Sequence, residues 1–254
     1  MIDYPKVNIL GVAVSALSMP QALTILESQL EKRQPQIICI ANTHTIMLCQ
    51  SDAKLREVYS RATLVTPDGM PLVWLSWLNR QYQVERIYGP DLMLALCALK
   101  KPYRHFFYGA TEATLQRLRA NLKLRFPDLE LVGFYAPPFR PLTIAEKTAV
   151  VDLMNGCQPD IVWVGLGAPK QEYWMGEYRA LLKAPLLIGV GAAFDFHAGV
   201  KPQAPRWLQN VGLEWLFRLI KEPRRLWRRY VFTLPLFVAL SSAQLLGIKR
   251  YRIP

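Results

Sequence analysis

One carboxylate lies near the start of a long apolar run. Asp68 occupies the segment LVTPDGMPLVWL, residues 64–75, between Pro67 and Gly69. A lone carboxylate is costly to bury unless a partner or a reaction uses it, and the flanking proline and glycine favour a turn. A carboxylate in such a turn can take a proton from a hydroxyl group that attacks an electrophile. A helix cap is the structural alternative for Asp68.

The C-terminal part of the chain supplies cations that could bind phosphate groups. Residues 200–254 contain eleven Lys or Arg and two Asp or Glu, so they carry +9 of the overall net charge of +12. Arginines can hold and neutralise a diphosphate. The charge therefore indicates an anionic partner, which could be nucleic acid, phospholipid or a phosphorylated substrate.

The same segment combines its cations with aromatic residues. Basic residues recur at helical spacing over 218–229, beside Trp215, Trp227 and Tyr230, and this pattern is typical of a helix lying in a membrane interface. The next eighteen residues, 231–248, carry no charge, which is close to the length of a membrane span. We favour an interfacial helix or hairpin, and a span or a core helix stays open. The apolar run favours lipid over nucleic acid as the partner.

Several kinds of site are not supported by any motif. The turn GLGAP, residues 165–169, lacks the third glycine of a dinucleotide-binding loop, and neither a P-loop nor a nucleophile elbow occurs. The three histidines and four cysteines are scattered, so no metal site and no cofactor are predicted. No D-x-D triplet is present to hold a metal against a nucleotide diphosphate, so cationic side chains would have to neutralise that group.

Strand-like and helical segments alternate along the chain, which predicts an α/β fold with a parallel sheet covered on both faces. The predicted strands are VNILGVAVS, PQIICIAN, TLVTPDG, RHFFYGA, LELVGFYAPPF and APLLIGVGAAFDF, and a further strand opens PDIVWVGLGAPKQEYWM, before a Gly-containing turn and a helix start. Ligands of such sheets bind outside the carboxyl ends of the strands. The polar or small residues found there are Asn42, Thr43, Asp68, Gly109, Gln171, Glu172 and Asp195. We predict an α/β core over residues 1–195 and a basic, membrane-binding helical appendage over 196–254.

These residues lie in motifs that resemble the WecG/TagA/CpsF family of bacterial glycosyltransferases over nearly the whole chain. The motifs are ATLVTPDGMPLV, ERIYGPDLM, GFYAPPF, VGLGAPKQEYWM and GVGAAFDFHAGVKPQAPRWLQNVGLEWLFRLIKEPRRLWRRY. The resemblance implies an inverting, metal-independent enzyme with a Rossmann-like core, whose C-terminal appendage completes the active site. It implies transfer of N-acetylmannosamine, N-acetylmannosaminuronic acid or glucose from a UDP-sugar to a polyprenyl-diphosphate-linked sugar.

The resemblance also implies a place in the cell and a biological role. The enzyme would lie peripherally on the cytoplasmic face of the bacterial membrane, with an anionic membrane surface as a partner and no nucleic acid. It would serve exopolysaccharide or wall-polymer biosynthesis, and the oligomeric state is left open.

Roles for individual residues follow from the resemblance. It implies that Asp68 is the general base, that Arg86 contacts the donor or acceptor diphosphate, and that Gln171 lies in the sugar pocket. The residues expected at the lipid diphosphate or membrane are Arg218, Arg224, Arg225 and Arg228. The other predicted substrate-binding residues, at the strand ends, are Asn42, Thr43, Gly109 and Asp195. The chain departs from the family at Ile40 and Gln203, where the family has Thr and Arg.

Simpler readings stay open for some residues and for the whole chain. Gln171 and Glu172 could open a helix, Asp195 could be a turn residue, Arg86 could form a surface ion pair, and Asp91 is predicted as a helix cap. The whole chain could be a membrane-tethered nucleotide-binding protein without transferase activity. A nucleic-acid-binding protein is the third possibility.

Overall fold

A computed structural model describes residues 4–254, apart from the side chain of Arg229. The N-terminal segment, predicted as one strand, is an antiparallel hairpin of β1 (Lys6–Ile9) and β2 (Val12–Ser15). The prediction of a single strand is wrong because the chain turns at Leu10 and Gly11, whose φ angles of 50° and 82° are left-handed. Consecutive positive φ angles are typical of a tight hairpin turn.

The predicted α/β fold with a parallel sheet is confirmed. The strands of the main sheet are β3 (Gln36–Ala41), β4 (Leu64–Pro67), β5 (Arg104–Gly109), β6 (Glu130–Tyr135), β7 (Ile161–Gly165) and β8 (Leu186–Gly189). Their order is β4-β3-β8-β7-β5-β6, and β8 pairs in parallel with both β3 and β7. β5 pairs in parallel with β7 and β6. Five of the six strands are buried over nearly their whole length, as expected of a sheet covered on both faces.

Helices connect and follow these strands. In chain order they are α1 (Met19–Lys32), α2 (Thr43–Ser51), α3 (Ala53–Arg61), α4 (Met70–Leu78), α5 (Gly89–Cys97), α6 (Glu112–Arg125), α7 (Ile144–Gly156), α8 (Lys170–Tyr178), α9 (Ala193–His197), α10 (Arg206–Asn210), α11 (Glu214–Lys221), α12 (Pro223–Arg228) and α13 (Leu234–Leu245). A π-helical turn, Arg229–Thr233, precedes α13.

The chain forms two compact units. The first contains the N-terminal residues up to Met19, residues 40–88 and residues 203–254, and the second contains residues 20–39 and 89–202. The basic C-terminal segment therefore belongs to the same unit as Asp68. The division of the chain at residue 195 into a core and an appendage stays a prediction.

The second unit has an aromatic core. Phe106, Phe107 and Trp163, on β5 and β7, are fully buried. The indole Nε1 of Trp163 donates a hydrogen bond to Nδ1 of His105 over 3.0 Å. Burial lowers the pKa of His105 to about 4, so this histidine is a neutral core residue.

Gln244 of helix α13 forms two hydrogen bonds to the hairpin of the first unit. Gln244 donates from Nε2 to the carbonyl of Asn8 over 2.8 Å, and its Oε1 accepts the N–H of Leu10 over 2.9 Å. Phe237 of α13 is buried, whereas Leu236 is half exposed. Within residues 4–254, no helix combines the length and the apolar character needed to cross a membrane.

Candidate functional site

The turn after β4 places Asp68 at the carboxyl end of the strand. The Asp68 N–H donates to the carbonyl of Ala41, the last residue of β3, over 2.8 Å. Gly69, which has no side chain to make a capping bond, is the N-cap residue of α4. The alternative that the Asp68 side chain caps a helix stays a prediction. This side chain is partly buried and lines a cavity.

This cavity is built within the first unit from strand ends and the C-terminal segment. Its lining consists of Asn42, Thr43, Asp68, Gly69, Met70, Pro71, Arg86, Gln209, Gly212, Glu214, Trp215, Arg218, Tyr230 and Leu234. Five residues predicted from the sequence are thus brought to one place: Asn42, Thr43, Asp68, Arg86 and Arg218.

Arg86 is held from several sides in this cavity. Its Nε donates to the backbone carbonyl of Asp68 over 2.6 Å, and its Nη1 donates to Oε1 of Gln209 over 2.9 Å. The guanidinium lies 4.0 Å from the centre of the Tyr88 ring, and its Nη2 pairs with Glu214. Only 13% of the Arg86 side chain is exposed, so the ion pair is largely buried rather than on the surface.

Glu214 links Arg86 to Arg218. Its Oε1 lies 2.8 Å from Nη2 of Arg218, and the same oxygen accepts a hydrogen bond from the Tyr88 hydroxyl over 3.0 Å. Burial on its own lowers the pKa of Arg218, but the nearby Glu214, Tyr88 and Asp68 raise it above its usual value. Burial raises the pKa of Tyr88 in spite of Arg218, so its hydroxyl stays protonated and can donate.

Sequence reasoning missed Gln209, Glu214 and Tyr88 as members of this site. A signal was present for Glu214, since it is one of two acidic residues among residues 200–254 and stands four positions before Arg218. Acidic and basic residues at that spacing are neighbours on a helix. Gln209 and Tyr88 give no comparable signal because their roles depend on contacts between distant segments.

Asn42 and Thr43 lie where α2 begins. Asn42 is the N-cap of α2, and its Oδ1 accepts the N–H groups of His44 and Thr45 over 3.1 and 3.2 Å. Because this cap fixes the amide at the cavity wall, Asn42 has a structural role in addition to any ligand contact. Substrate binding by Asn42 and Thr43 stays a prediction.

The basic residues of the C-terminal segment separate into two groups. Arg218 lines the cavity, whereas the lining described above does not include Arg224, Arg225 or Arg228, which are exposed. Arg225 pairs with Glu222, and the Arg228 guanidinium lies 5.4 Å from the centre of the Trp227 ring. The geometry thus favours a cavity role for Arg218 and a surface role for the other three.

Gln171 and Glu172 lie in the first turn of α8, in the second unit, and both are buried. Oε1 of Gln171 accepts the N–H of Gly191 over 2.9 Å, and its Nε2 donates to Oε1 of Glu172 over 3.0 Å. Burial raises the pKa of Glu172 to about 7, although the hydrogen bond from Gln171 opposes this shift. The pair therefore braces the turn that follows β8. A contact between Gln171 and a sugar stays a prediction.

Gly109 and Asp195 also lie in the second unit. Gly109 ends β5 with φ of 132°, and a Cβ there would lie 2.6 Å from the carbonyl oxygen of Gly165, so only glycine fits. Asp195, in α9, pairs with Lys201 over 2.8 Å, and its carbonyl accepts the N–H of Val200 over 2.9 Å. These bonds support the structural reading of Asp195 as a residue that organises a turn.

The second unit also contains an aromatic cavity of about 530 Å³ beyond the ends of β5 and β7. Trp174 stacks between Tyr108 and Tyr178, with ring centres 4.3 and 4.4 Å apart. Cationic residues on its rim are Arg140, Lys147 and Lys170. Aromatic faces beside cations suit a ligand with a flat ring and phosphate groups.

Positive charge in the first cavity comes from guanidinium groups. Across residues 4–254, no three His, Cys, Asp or Glu side chains lie close enough together to hold a metal ion. Arg218 can bind a diphosphate through charge-assisted hydrogen bonds, and Arg86 adds a second positive charge beside it. Asp68 lies beside them and can accept a proton.

Comparison with known proteins identifies the family to which the chain is similar. The model of the family described as "Glycosyl transferase WecG/TagA/CpsF family" matches residues 7–251. A protein of Bacillus spizizenii is 31% identical over 211 residues, which cover 82% of this chain and 79% of the relative. A protein of Bacillus subtilis is 30% identical over 195 residues, which cover 76% of this chain and 74% of the relative. Both relatives are named N-acetylglucosaminyldiphosphoundecaprenol N-acetyl-beta-D-mannosaminyltransferase.

Proposed function

The chain belongs to the WecG/TagA/CpsF family of glycosyl transferases, and we propose that it transfers a sugar from a UDP-sugar to a polyprenyl-diphosphate-linked sugar. The observation that carries the proposal is the cavity in which Asp68 lies beside Arg86 and Arg218. A proton acceptor next to two guanidinium groups suits a hydroxyl nucleophile carried on a diphosphate. The names of both Bacillus relatives, which specify an acceptor of this kind, support it.

The proposed reaction is an inverting displacement. The acceptor hydroxyl attacks the anomeric carbon, and Asp68 takes the hydroxyl proton as the new carbon–oxygen bond forms. The bond between that carbon and the UDP oxygen breaks, and UDP leaves with the bonding electron pair. Arg218 binds the diphosphate of the acceptor, and the positive charge of Arg86 lies beside it; together they replace the solvation that water would provide.

The names of the two relatives narrow the choice of donor sugar. Both are named as N-acetylmannosaminyltransferases, so N-acetylmannosamine is the first donor to test, followed by its uronic acid and glucose. Ile40 is fully apolar and only 6% exposed, so it cannot supply the hydroxyl of the threonine that the family carries there. This difference makes the donor screen necessary.

The donor nucleotide is proposed to occupy the aromatic cavity of the second unit. Its stacked aromatic residues and its three cationic rim residues suit a base and a diphosphate. Lys170→Ala should weaken UDP binding in a calorimetric titration. Lys100→Ala, which removes an exposed lysine outside that cavity, is the matched control and should bind UDP like the wild type.

The decisive experiment measures UDP release with a panel of UDP-sugars and a short-chain lipid-diphosphate N-acetylglucosamine. Asp68→Asn keeps the size of the side chain and loses the proton acceptor, so kcat should fall roughly 10²-fold or more with little change in UDP-sugar affinity. Asp128→Asn, an exposed carboxylate between α6 and β6, is the matched control. Turnover of Asp68→Asn at the wild-type rate would remove Asp68 from the mechanism.

Metal independence is part of the proposal and is tested in the same assay. With arginines supplying the positive charge, turnover should be the same in EDTA and in added Mg²⁺ or Mn²⁺. A loss of activity in EDTA that added metal restores would contradict this, and Asp195 would then be the first carboxylate to test as a ligand.

Membrane attachment on the cytoplasmic face is proposed for the exposed part of the C-terminal segment. Ile220, Trp227 and Phe232 are exposed apolar residues close in sequence to Arg224 and Arg228, as expected of an interfacial surface. Each cation can contribute about 1 kcal/mol at an anionic bilayer. The chain should therefore bind phosphatidylglycerol vesicles more tightly than an oligonucleotide of equal charge.

The alternative of a membrane-tethered nucleotide-binding protein predicts a different result. Such a protein would bind UDP and vesicles but would release no UDP with any pair of donor and acceptor. A nucleic-acid-binding protein would instead prefer the oligonucleotide.

A further inference from the structure

We propose that Glu214 is the positioning residue that holds α11, and with it Arg218, at the cavity of Asp68. The proposal deepens the proposed function, on which its kinetic test rests. It names the contact that joins the basic C-terminal segment to the reacting groups.

Arg86 is the anchored end of this contact. Its Nε and Nη1 are engaged by the Asp68 carbonyl and by Gln209 at 2.6 and 2.9 Å. Its guanidinium also lies over the ring of Tyr88. Arg86 therefore presents its Nη2 in one direction, and Glu214 meets a guanidinium that is already fixed.

Glu214 is the ionic anchor of helix α11. The helix has no fully buried residue, and its other contacts include a hydrogen bond from Nη2 of Arg218 to the Tyr88 hydroxyl over 3.1 Å and a ring contact between Trp215 and Tyr230. Glu214 is its first residue, and its carboxylate pairs with Arg86 through one oxygen and with Arg218 through the other. Since the side chain of Glu214 is only 15% exposed, these pairs are weakly screened by solvent.

A carboxylate between two arginines could instead compete with the diphosphate for them. The geometry favours positioning, because Arg86 is occupied by three partners whereas 32% of the Arg218 side chain is exposed. A diphosphate can therefore reach Arg218 while Glu214 keeps its bond to Arg86. The two roles predict opposite changes in the acceptor KM.

The first test uses the full chain without substrates. Hydrogen exchange of the amides in residues 214–221 should be faster in Glu214→Gln than in the wild type. Glu222→Gln is the matched control, since it removes another carboxylate of the same segment, one whose partner Arg225 is 64% exposed. Unchanged exchange in Glu214→Gln would overturn the proposal. If that variant does not fold, Glu214→Asp takes its place: its shorter side chain cannot bridge Arg86 and Arg218 together, so exchange should still be faster than in the wild type, and unchanged exchange would overturn the proposal.

The second test is kinetic. Glu214→Gln should raise the acceptor KM roughly tenfold, as expected when a largely buried charge pair is broken, and should leave the donor KM unchanged. Glu214→Asp keeps the charge and should recover part of the loss. A lower acceptor KM in Glu214→Gln would identify Glu214 as a competitor and overturn the proposal. If the wild type shows no transfer with any donor, the proposed function fails, and the exchange experiment still decides the role of Glu214.

Discussion

Each of the two units contains a glutamate that is largely shielded from solvent, and the surroundings of the two carboxylates are opposite in kind. In the first unit Glu214 pairs with Arg86 and Arg218. In the second unit Glu172 is fully buried beside Gln171, and the groups that shift its pKa include no cation. A carboxylate paired with a cation can stay ionised when it is partly buried, whereas burial without a cation raises the pKa of a carboxyl group and favours its neutral form.

This difference assigns the two regions different tasks. The first unit contains a cavity of compensated charges, in which an arriving anion can rearrange partners that are already ionic. The second unit uses its acid and amide to brace the turn at Gly191. Removing parts of the first region should therefore change activity and folding more than removing parts of the second.

The largest effect is expected from deleting residues 203–254. A separate core ending at residue 195 would stay folded without them, but the contacts described above predict loss of the folded first unit. Deletion removes the buried Leu226 and Phe237, each worth about 1.5–3 kcal/mol against a usual total of about 5–15 kcal/mol. It also removes Gln244 from β1 and β2.

Circular dichroism and size-exclusion chromatography of the deletion variant measure this effect. The control is Gln244→Leu, which removes only the hydrogen bonds to the hairpin and should lower stability without abolishing folding. A soluble, cooperatively unfolding deletion variant would support the division at residue 195 and show that the C-terminal segment is only an addition to a complete core.

The next largest effect is a difference between Arg218, which lines the cavity, and the exposed arginines of the C-terminal segment. Arg218→Ala should lower kcat/KM for a short-chain acceptor by about 10-fold or more, because it removes a charge-assisted contact in the cavity. The Arg228 guanidinium is exposed beside Trp227. Arg228→Ala should therefore weaken vesicle binding and leave kcat/KM for the short-chain acceptor unchanged. Equal losses in both variants on the soluble acceptor would mean that Arg228 also reaches the diphosphate.

Sequence patterns were sufficient to predict the sheet and part of the cavity. Alternating apolar strands and helices predict a parallel sheet, and Asp68 and Arg86 stand in motifs that resemble those of one family. Among the elements that escaped prediction, two did so for a clear physical reason. In α4, with sequence MPLVWLSWL, apolar residues occupy almost every position, so no helical period is visible. The hairpin turn at Leu10 lies inside an apolar run that reads as one strand.

The side chains around the predicted residues could not be found in the same way. Gln209 bonds to Arg86 across 123 positions, and Tyr88 bonds to Glu214 across 126. Such pairs depend on how the segments pack, and the local pattern of neither partner encodes the other. Gln171 shows the same limit, because its motif gives no sign of the hydrogen bond that its Oε1 accepts from the N–H of Gly191, twenty positions away.

A smaller effect on stability is expected when either of two glycines with positive φ is replaced by alanine. A Cβ at Gly212, whose φ is 75°, would lie 2.9 Å from the ring of Trp74, whereas a Cβ at Gly199, whose φ is 68°, meets no atom within 4 Å. Both alanine variants incur backbone strain of about 1–2 kcal/mol, and only Gly212→Ala adds a clash with α4. Urea denaturation should therefore show the larger loss for Gly212→Ala. Equal losses would mean that Trp74 moves aside easily.

The smallest effect is the pH dependence that Glu172 confers. Its pKa is raised by burial from the usual 4.5 to about 7, so the folded chain holds a proton that the unfolded chain releases between these values. Stability from this group is therefore complete below about pH 4.5 and is lost as the pH rises toward 7, by at most about 1.4 kcal/mol per pH unit. Above pH 7 the penalty stays constant, because both states are then ionised.

Glu172→Gln removes this dependence while keeping an oxygen that can accept the Nε2 hydrogen of Gln171. The variant should gain stability relative to the wild type between pH 4.5 and 7, as followed by urea denaturation at a series of pH values. Glu177→Gln is the control, since half of the Glu177 side chain is exposed and its partner Lys147 lies at the surface. A difference between Glu172→Gln and the wild type that does not change with pH would mean that Glu172 has a charged partner in solution. The contrast between a paired acid in one unit and an unpaired acid in the other would then be lost.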